Sequence, residues 1–245
     1  MKQVYLLMVL VLTFNGCTST NVTRATPNTY SIIQETSPIL IITSQQIPPP
    51  NSIEIGEFEH KEGTFGSGLW LQIKPKILKI ARSSGANVVR IYDYSMTGMI
   101  YSSSLSGKLY RYENDVSKFQ DDPSNKLADC SCAIIHVLRY EGNLSLRSAF
   151  PIKLFVNNTF KCELPSTSER IIEVKQSGPI VLSPYIDGGG ITVNVEVGKE
   201  YYIYVTQEMS SISNPSMIGV TVGSKIFELI DSEEGRLRSL LINKR

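Results

Sequence analysis

Four cysteines and two histidines are the residues whose types could do chemistry in this chain of 245: Cys17, Cys130, Cys132, Cys162, His60 and His136. Cys130-x-Cys132 followed by His136 offers two thiolates and an imidazole, ligand types that suit zinc or copper. Zinc signatures of high specificity use two spaced pairs, and here there is one. A ligand- or metal-binding module on Cys130, Cys132 and His136 is therefore the alternative reading. His136 alternates with Ile135 and Val137, which turns it to the face opposite theirs and favours a hydrogen-bonded or solvent-facing role. A cysteine nucleophile needs a base beside a thiol of lowered pKa. No spacing fixes that geometry, so no catalytic residue is expected, and a hydrolase with an unrecognised site is the least favoured reading. Cys130 and Cys132, two apart in an extended segment, share a face and cannot easily bridge each other. In an oxidising compartment the expected disulfide is Cys162 with Cys130 or Cys132, the alternative being three buried free thiols.

Cys17 stands apart because of what precedes it. Lys2 is followed by an apolar run, Tyr5 to Phe14, broken only by Thr13, and then by Asn15-Gly16-Cys17. A charged start, a short apolar stretch and a small residue describe a secretory signal peptide. The run falls short of the roughly 20 apolar residues that a spanning helix needs. The whole chain has a net charge of +1, so no field draws it to nucleic acid. Its 42% hydrophobic and 19% charged residues are those of a folded protein, and no cofactor is implied. Asp121-Asp122 and Glu233-Glu234 lie in polar segments and read as solvated pairs.

The elements that must carry these residues fall into two groups. Residues 17–37, rich in Thr, Ser and Asn, read as a flexible tether. Pro38 to Thr43 is a strand, Pro48-Pro49-Pro50 a stiff crossover, and Ile53 to Phe58 a second strand with a bulge at Gly56. A helix with Pro75 in its first turn runs to a cap at Gly85. Strands at Ala86–Tyr94 and Lys108–Tyr112 follow, with a polar turn at Ser102–Gly107 between them. Residues 114–129 are polar and read as a linker. From Cys130 to about residue 230 short strands recur at regular spacing, as in a sandwich or barrel. One is a hairpin turning on Asn157-Asn158. Residues 231–245 form a tail with helical character.

Three resemblances attach to these segments. Gly16-Cys17 after the apolar run resembles the lipobox of bacterial lipoproteins, which implies cleavage after residue 16 and lipidation of Cys17. Thr18 after it, in place of aspartate, is compatible with outer-membrane sorting. The helix closing on Ala81-Arg82-Ser83-Ser84-Gly85-Ala86-Asn87 before a valine-rich strand resembles small β-β-α-β envelope domains of the Rcs stress-sensor lipoprotein type, over residues 38–113. Leu138-Arg139-Tyr140, the Val156-Asn157-Asn158 hairpin and Gly198-Lys199-Glu200-Tyr201-Tyr202 are jointly similar to an uncharacterised lipoprotein-associated domain, over residues 130–230. Its implied fold is an immunoglobulin- or transthyretin-like sandwich. The expectation is an α+β chain, a small β-β-α-β domain followed by an all-β sandwich. It would be held by lipid in the outer membrane of a Gram-negative cell and act on an envelope protein partner without catalysis.

Overall fold

The computed structural model describes residues 18–25, 30–62, 70–97, 102–119, 131–141, 150–186, 188–214 and 217–243. Among these residues the chain is mostly β-sheet with two helices. It divides into two units, Met1–Gln120 and Asp121–Arg245.

The first unit contains β1 (Ser19–Arg24), β2 (Leu40–Thr43), β3 (Ile53–Glu62), α1 (Trp70–Ser84), β4 (Val88–Thr97) and β5 (Ser102–Arg111). Its five-stranded sheet has the order β1-β3-β5-β4-β2. β2 and β4 are parallel and the other neighbours antiparallel. The register of β3 on β5 slips between Glu54 and Gly56, the bulge anticipated from the broken alternation. A side chain at Gly56 would come within 2.6 Å of the Thr23 carbonyl oxygen of β1, so the close approach requires glycine. α1 ends as its sequence implies. Gly85 takes φ +80°, its N–H reaches the Arg82 carbonyl, and the Ala86 N–H reaches that of Ala81, a Schellman closure. α1 buries Trp70, Ile73, Ile77 and Ala81, spaced for one face of a helix. On the other side of the sheet Leu40, Ile42, Val88, Tyr110, Tyr112 and Val116 form a second cluster.

Four expectations about this unit need correction. Residues 17–37 are not wholly a tether, because Ser19–Arg24 pairs along β3 from Ser19↔Lys61 to Arg24↔Gly56. All six residues are exposed, so no apolar pattern marks the strand. What makes it is the open edge of β3 meeting β-branched Thr20, Val22 and Thr23. α1 begins at Trp70, which puts Pro75 inside the helix on an exposed position and not in the first turn. Ser102–Gly107 is the first half of β5 and not a turn; it lies between β3 and β4, whose backbones bond it on both sides. The segment expected as a linker opens with packed residues. Val116 is buried, and Phe119, in a 3-10 turn, meets the Tyr112 ring edge-on at 5.6 Å.

The second unit contains β6 (Ala133–Tyr140), β7 (Ile152–Val156), β8 (Thr159–Leu164), β9 (Thr167–Val174), β10 (Gly178–Ser183), β11 (Ile191–Val195), β12 (Glu200–Asn214), β13 (Met217–Ile230) and α2 (Ser232–Ile242). One four-stranded sheet has the order β11-β10-β7-β8 and the other β13-β12-β6-β9. Ala133, Ile135, Val137, Ile203, Val205 and Phe227 of the second sheet share one core with Ile152, Leu154, Val156, Leu164, Leu182, Val193 and Val195 of the first. The hairpin of β7 and β8 turns on Asn157 and Asn158 at φ 47° and 62°, the left-handed pair that a two-residue type I′ turn demands. The last of the strands in this region is long: β13 pairs along β12 with a slip between Gln207 and Met209.

Candidate functional site

β6 presents side chains with period two, so Ala133, Ile135 and Val137 enter the core while Ile134, His136 and Leu138 face the other way. That second face is where α2 lies. α2 starts on Asp231, whose carboxylate accepts the Glu234 N–H at 2.8 Å, and Glu233 and Glu234 in its first turn suit the helix dipole. Gly235 sits directly against the Tyr202 ring: an added Cβ would lie 2.1 Å from it. Arg238 stacks over Tyr204 at 3.8 Å while its Nε donates to Glu234 Oε1 at 2.8 Å.

Beneath this helix His136 is held from both sides. Its Nδ1 is 2.7 Å from Glu169 Oε1 on β9, and its Nε2 is 3.9 Å from Glu200 Oε1 on β12, a charge contact and not a hydrogen bond. The Tyr202 ring stacks on the imidazole, with centroids 4.6 Å apart and planes 9° from parallel, in register across β6 and β12. Glu169 in turn accepts Ser239 Oγ at 2.8 Å and Asn243 Nδ2 at 2.6 Å. Glu200 accepts the Tyr202 hydroxyl at 3.2 Å and has Arg236 Nη2 at 3.9 Å.

The electrostatics follow from that arrangement. Burial pulls the His136 pKa down, but the hydrogen bond to Glu169 and the charges of Glu169 and Glu200 outweigh it and carry it up to about 9. Burial raises Glu169, yet bonds from His136, Ser239 and Asn243 leave it below the usual carboxylate value. Glu200 is lowered as well, chiefly by the His136 imidazolium beside it. At neutral pH the imidazole is therefore charged, with both ring nitrogens protonated. What this cluster does chemically is bind β6, β9, β12 and α2 to one another.

A second buried charge lies on the core side of the same strand. Arg139 is fully buried; its Nη2 donates to Glu141 Oε2 at 2.9 Å, and its Nη1 donates to the carbonyls of Phe150 at 2.9 Å and Leu164 at 2.6 Å. The first unit has its own cluster. Buried His60 meets Thr20 Oγ1 at 2.8 Å, and buried Glu62 holds Lys76 of α1 and Ser103 of β5. Burial, then the Lys76 charge, hold the His60 pKa below its ordinary value, so His60 is neutral. An open pocket of about 290 Å³ lies beside the α1 cap, lined by Gln34, Asn87, Arg111, Asn114 and Asp115 among others. Asn87 is committed there to both backbone groups of Tyr112, and Arg111 Nη1 donates to the Gly85 carbonyl at 3.2 Å.

The residues singled out by type fare unequally. Cys17 and Cys130 lie outside the described residues. Cys132 is disulfide-bonded, and Cys162 is a free thiol on β8, so the bridge expected from Cys162 is not formed. Cys162 is half-buried against the core of the second unit, where its thiol packs as a small apolar group. The metal set of Cys130, Cys132 and His136 loses the Cys132 sulfur, which is in a disulfide, and His136 Nδ1 is engaged with Glu169. Among the described residues no three His, Cys, Asp or Glu side chains are grouped to hold a metal ion. Glu169, Glu200, Ser239 and Asn243 escaped sequence reasoning because they come from three separate elements. Only Glu200, inside Gly198-Lys199-Glu200-Tyr201-Tyr202, stood in a segment already marked. Compared with known proteins, the chain matches no family model, no curated protein and no solved structure.

Proposed function

We propose that this chain is a lipoprotein of the outer membrane, anchored through Cys17, which acts by binding an envelope partner and carries out no catalysis. The observation that carries the reading is the order at its start: Lys2, the apolar run Tyr5 to Phe14, then Gly16-Cys17. Lipidation of that cysteine supplies more than one acyl chain, and two hydrophobic signals together make anchoring stable. The titratable clusters favour a binding protein, since His136, Glu169, Glu200, Arg139 and Glu141 bond to one another and to backbone. The first unit we read as a β-β-α-β domain of the envelope-sensor type, on its Gly85-Ala86-Asn87 closure. The second we read as an immunoglobulin- or transthyretin-like sandwich, on its two sheets with one core.

Intact mass of the mature protein tests the anchor: Cys17 at the N-terminus with diacylglyceryl and palmitoyl additions, abolished by Cys17→Ser. An unmodified Cys17, or Cys17 recovered in a disulfide with Cys132, overturns it. In-cell crosslinking of the full-length chain tests the mode of action. A discrete envelope protein should be captured, and capture should be lost when the Cys17→Ser protein is released from the membrane.

A further inference from the structure

The pocket beside the α1 cap combines fixed walls with unused hydrogen-bonding groups. Its volume of about 290 Å³ is at the small end of ligand sites, which span about 300–1,000 Å³. The walls are tied by bonds that need no ligand. The Ile33 N–H donates to the Arg82 carbonyl at 3.2 Å, and the Ser37 N–H donates to that of Gln34 at 3.1 Å, closing a turn ahead of β2. Asn87 holds both backbone groups of Tyr112 at 2.8 Å, and its own carbonyl accepts the Leu40 N–H at 2.9 Å. Asp115 accepts the Ser117 hydroxyl at 2.6 Å and the Ser117 N–H at 2.8 Å; these bonds, in that order, hold its carboxyl below the usual range, so it is ionised. Three other lining side chains keep capacity that no described residue uses. The Gln34 and Asn114 amides have no bonded partner, and Arg111 spends only Nη1, on the Gly85 carbonyl at 3.2 Å. Glu113 Oε1 lies 3.9 Å from Arg111 Nε, beyond hydrogen-bond distance, so Nη2 is left to donate.

The lining carries one cation, Arg111, and one anion, Asp115, beside neutral amides and hydroxyls and the apolar side chains of Ile33, Pro38 and Val116. A ligand of single charge meets attraction from one and repulsion from the other, whereas a zwitterion answers both. We propose that this pocket binds a small zwitterion of the α-amino acid or dipeptide class, its carboxylate on Arg111 and its ammonium group at Asp115. The guanidinium fork matches a carboxylate, and each Asp115 oxygen keeps a lone pair beyond the one that Ser117 uses. The Gln34 and Asn114 amides supply both donors and acceptors, which suit a peptide group or a polar side chain of the ligand. Because the walls are tied already, binding orders only a few side chains, and that keeps its entropic cost low. The site does not depend on the anchor at Cys17; it adds a small-molecule ligand to the protein partner proposed above.

The test is isothermal titration calorimetry of the full-length chain with each standard L-amino acid and with L-alanyl-L-alanine. The tightest of these is then compared with its N-acetylated and its C-amidated analogues. The expected result is one saturable site per chain, with binding at least about tenfold weaker for either analogue, as the loss of a charge-assisted hydrogen bond implies. Arg111→Gln should weaken binding by about tenfold or more for the same reason. Because Arg111 also supports the Gly85 carbonyl, Gln34→Ala is the second variant. Its side chain has no partner to lose, so its thermal melt without ligand should match the wild type while its affinity falls about two- to tenfold. Failure of every probe to bind with a dissociation constant below about 1 mM overturns the site. An analogue with one end blocked that binds as well as its parent overturns it too, since the ligand would then not be held as a zwitterion. So does wild-type affinity in both variants, which would put the bound molecule elsewhere on the protein.

Discussion

Arg139 gives the strongest test of how single residues hold this protein. Its guanidinium is fully buried, and Glu141 supplies the only carboxylate bonded to it among the described residues. Removing one partner from a buried ion pair strands the other charge and costs about 3–5 kcal/mol. Glu141→Gln should therefore lower the urea midpoint of the second unit by that order, and a change below about 1 kcal/mol would show that the remaining bonds of Arg139 compensate its charge. Cys162 offers a second residue-scale test. Because it is a free thiol, iodoacetamide should label Cys162 in denatured but unreduced protein, while Cys132 stays protected until reductant is added. Peptide mapping that finds Cys162 bridged would contradict this arrangement.

At the scale of elements, the attachment of α2 is the part most open to measurement. Gly235 lies in the helix, where alanine would ordinarily be favoured by about 1 kcal/mol. Here the added methyl meets the Tyr202 ring, so Gly235→Ala should destabilise by about 1–3 kcal/mol as an overpacked contact does. Thermal melts decide the sign. The His136 cluster adds a pH dependence. Its folded pKa, about 9, lies above its unfolded value of 6.5, so its contribution is complete below pH 6.5 and disappears as pH rises through about 9. At about 1.4 kcal/mol per pH unit, the whole effect is no more than about 3.5 kcal/mol. Glu169 and Glu200 act oppositely: their folded values are lowered, so their contribution is present above 4.5 and lost as pH falls further. The cluster is strongest between these limits, around pH 5 to 6. Denaturant midpoints between pH 6 and 9 should fall for the wild type and flatten for His136→Gln. A wild-type profile that is already flat there would show that the imidazole is not charged.

Over the whole molecule, the two units have separate cores, and the sole tryptophan belongs to the first. Tryptophan emission then follows the first unit, whereas far-ultraviolet circular dichroism follows both. Glu141→Gln should shift the dichroism transition and leave the emission transition in place. A joint shift would mean that the units unfold as one cooperative body.

What the amino-acid order determined by itself is local. Asn157-Asn158 dictates a two-residue turn because asparagine tolerates positive φ, and Gly85-Ala86-Asn87 closes α1 because only a residue without Cβ takes φ +80° at no steric penalty. The alternation around His136 correctly turned it away from the core. The polar stretches misled for a common reason. Ser19–Arg24 and Ser102–Gly107 carry little apolar pattern, and each is a strand because a neighbouring edge bonds its backbone. No local signal encodes that. Only the tertiary structure decided which carboxylates flank His136, since Glu169, Glu200 and the Ser239–Asn243 turn are brought to it by register across β9, β12 and α2. The same holds for the cysteines: spacing limited which could pair, but only the structure shows Cys132 in a disulfide and Cys162, half-buried on β8, as a free thiol.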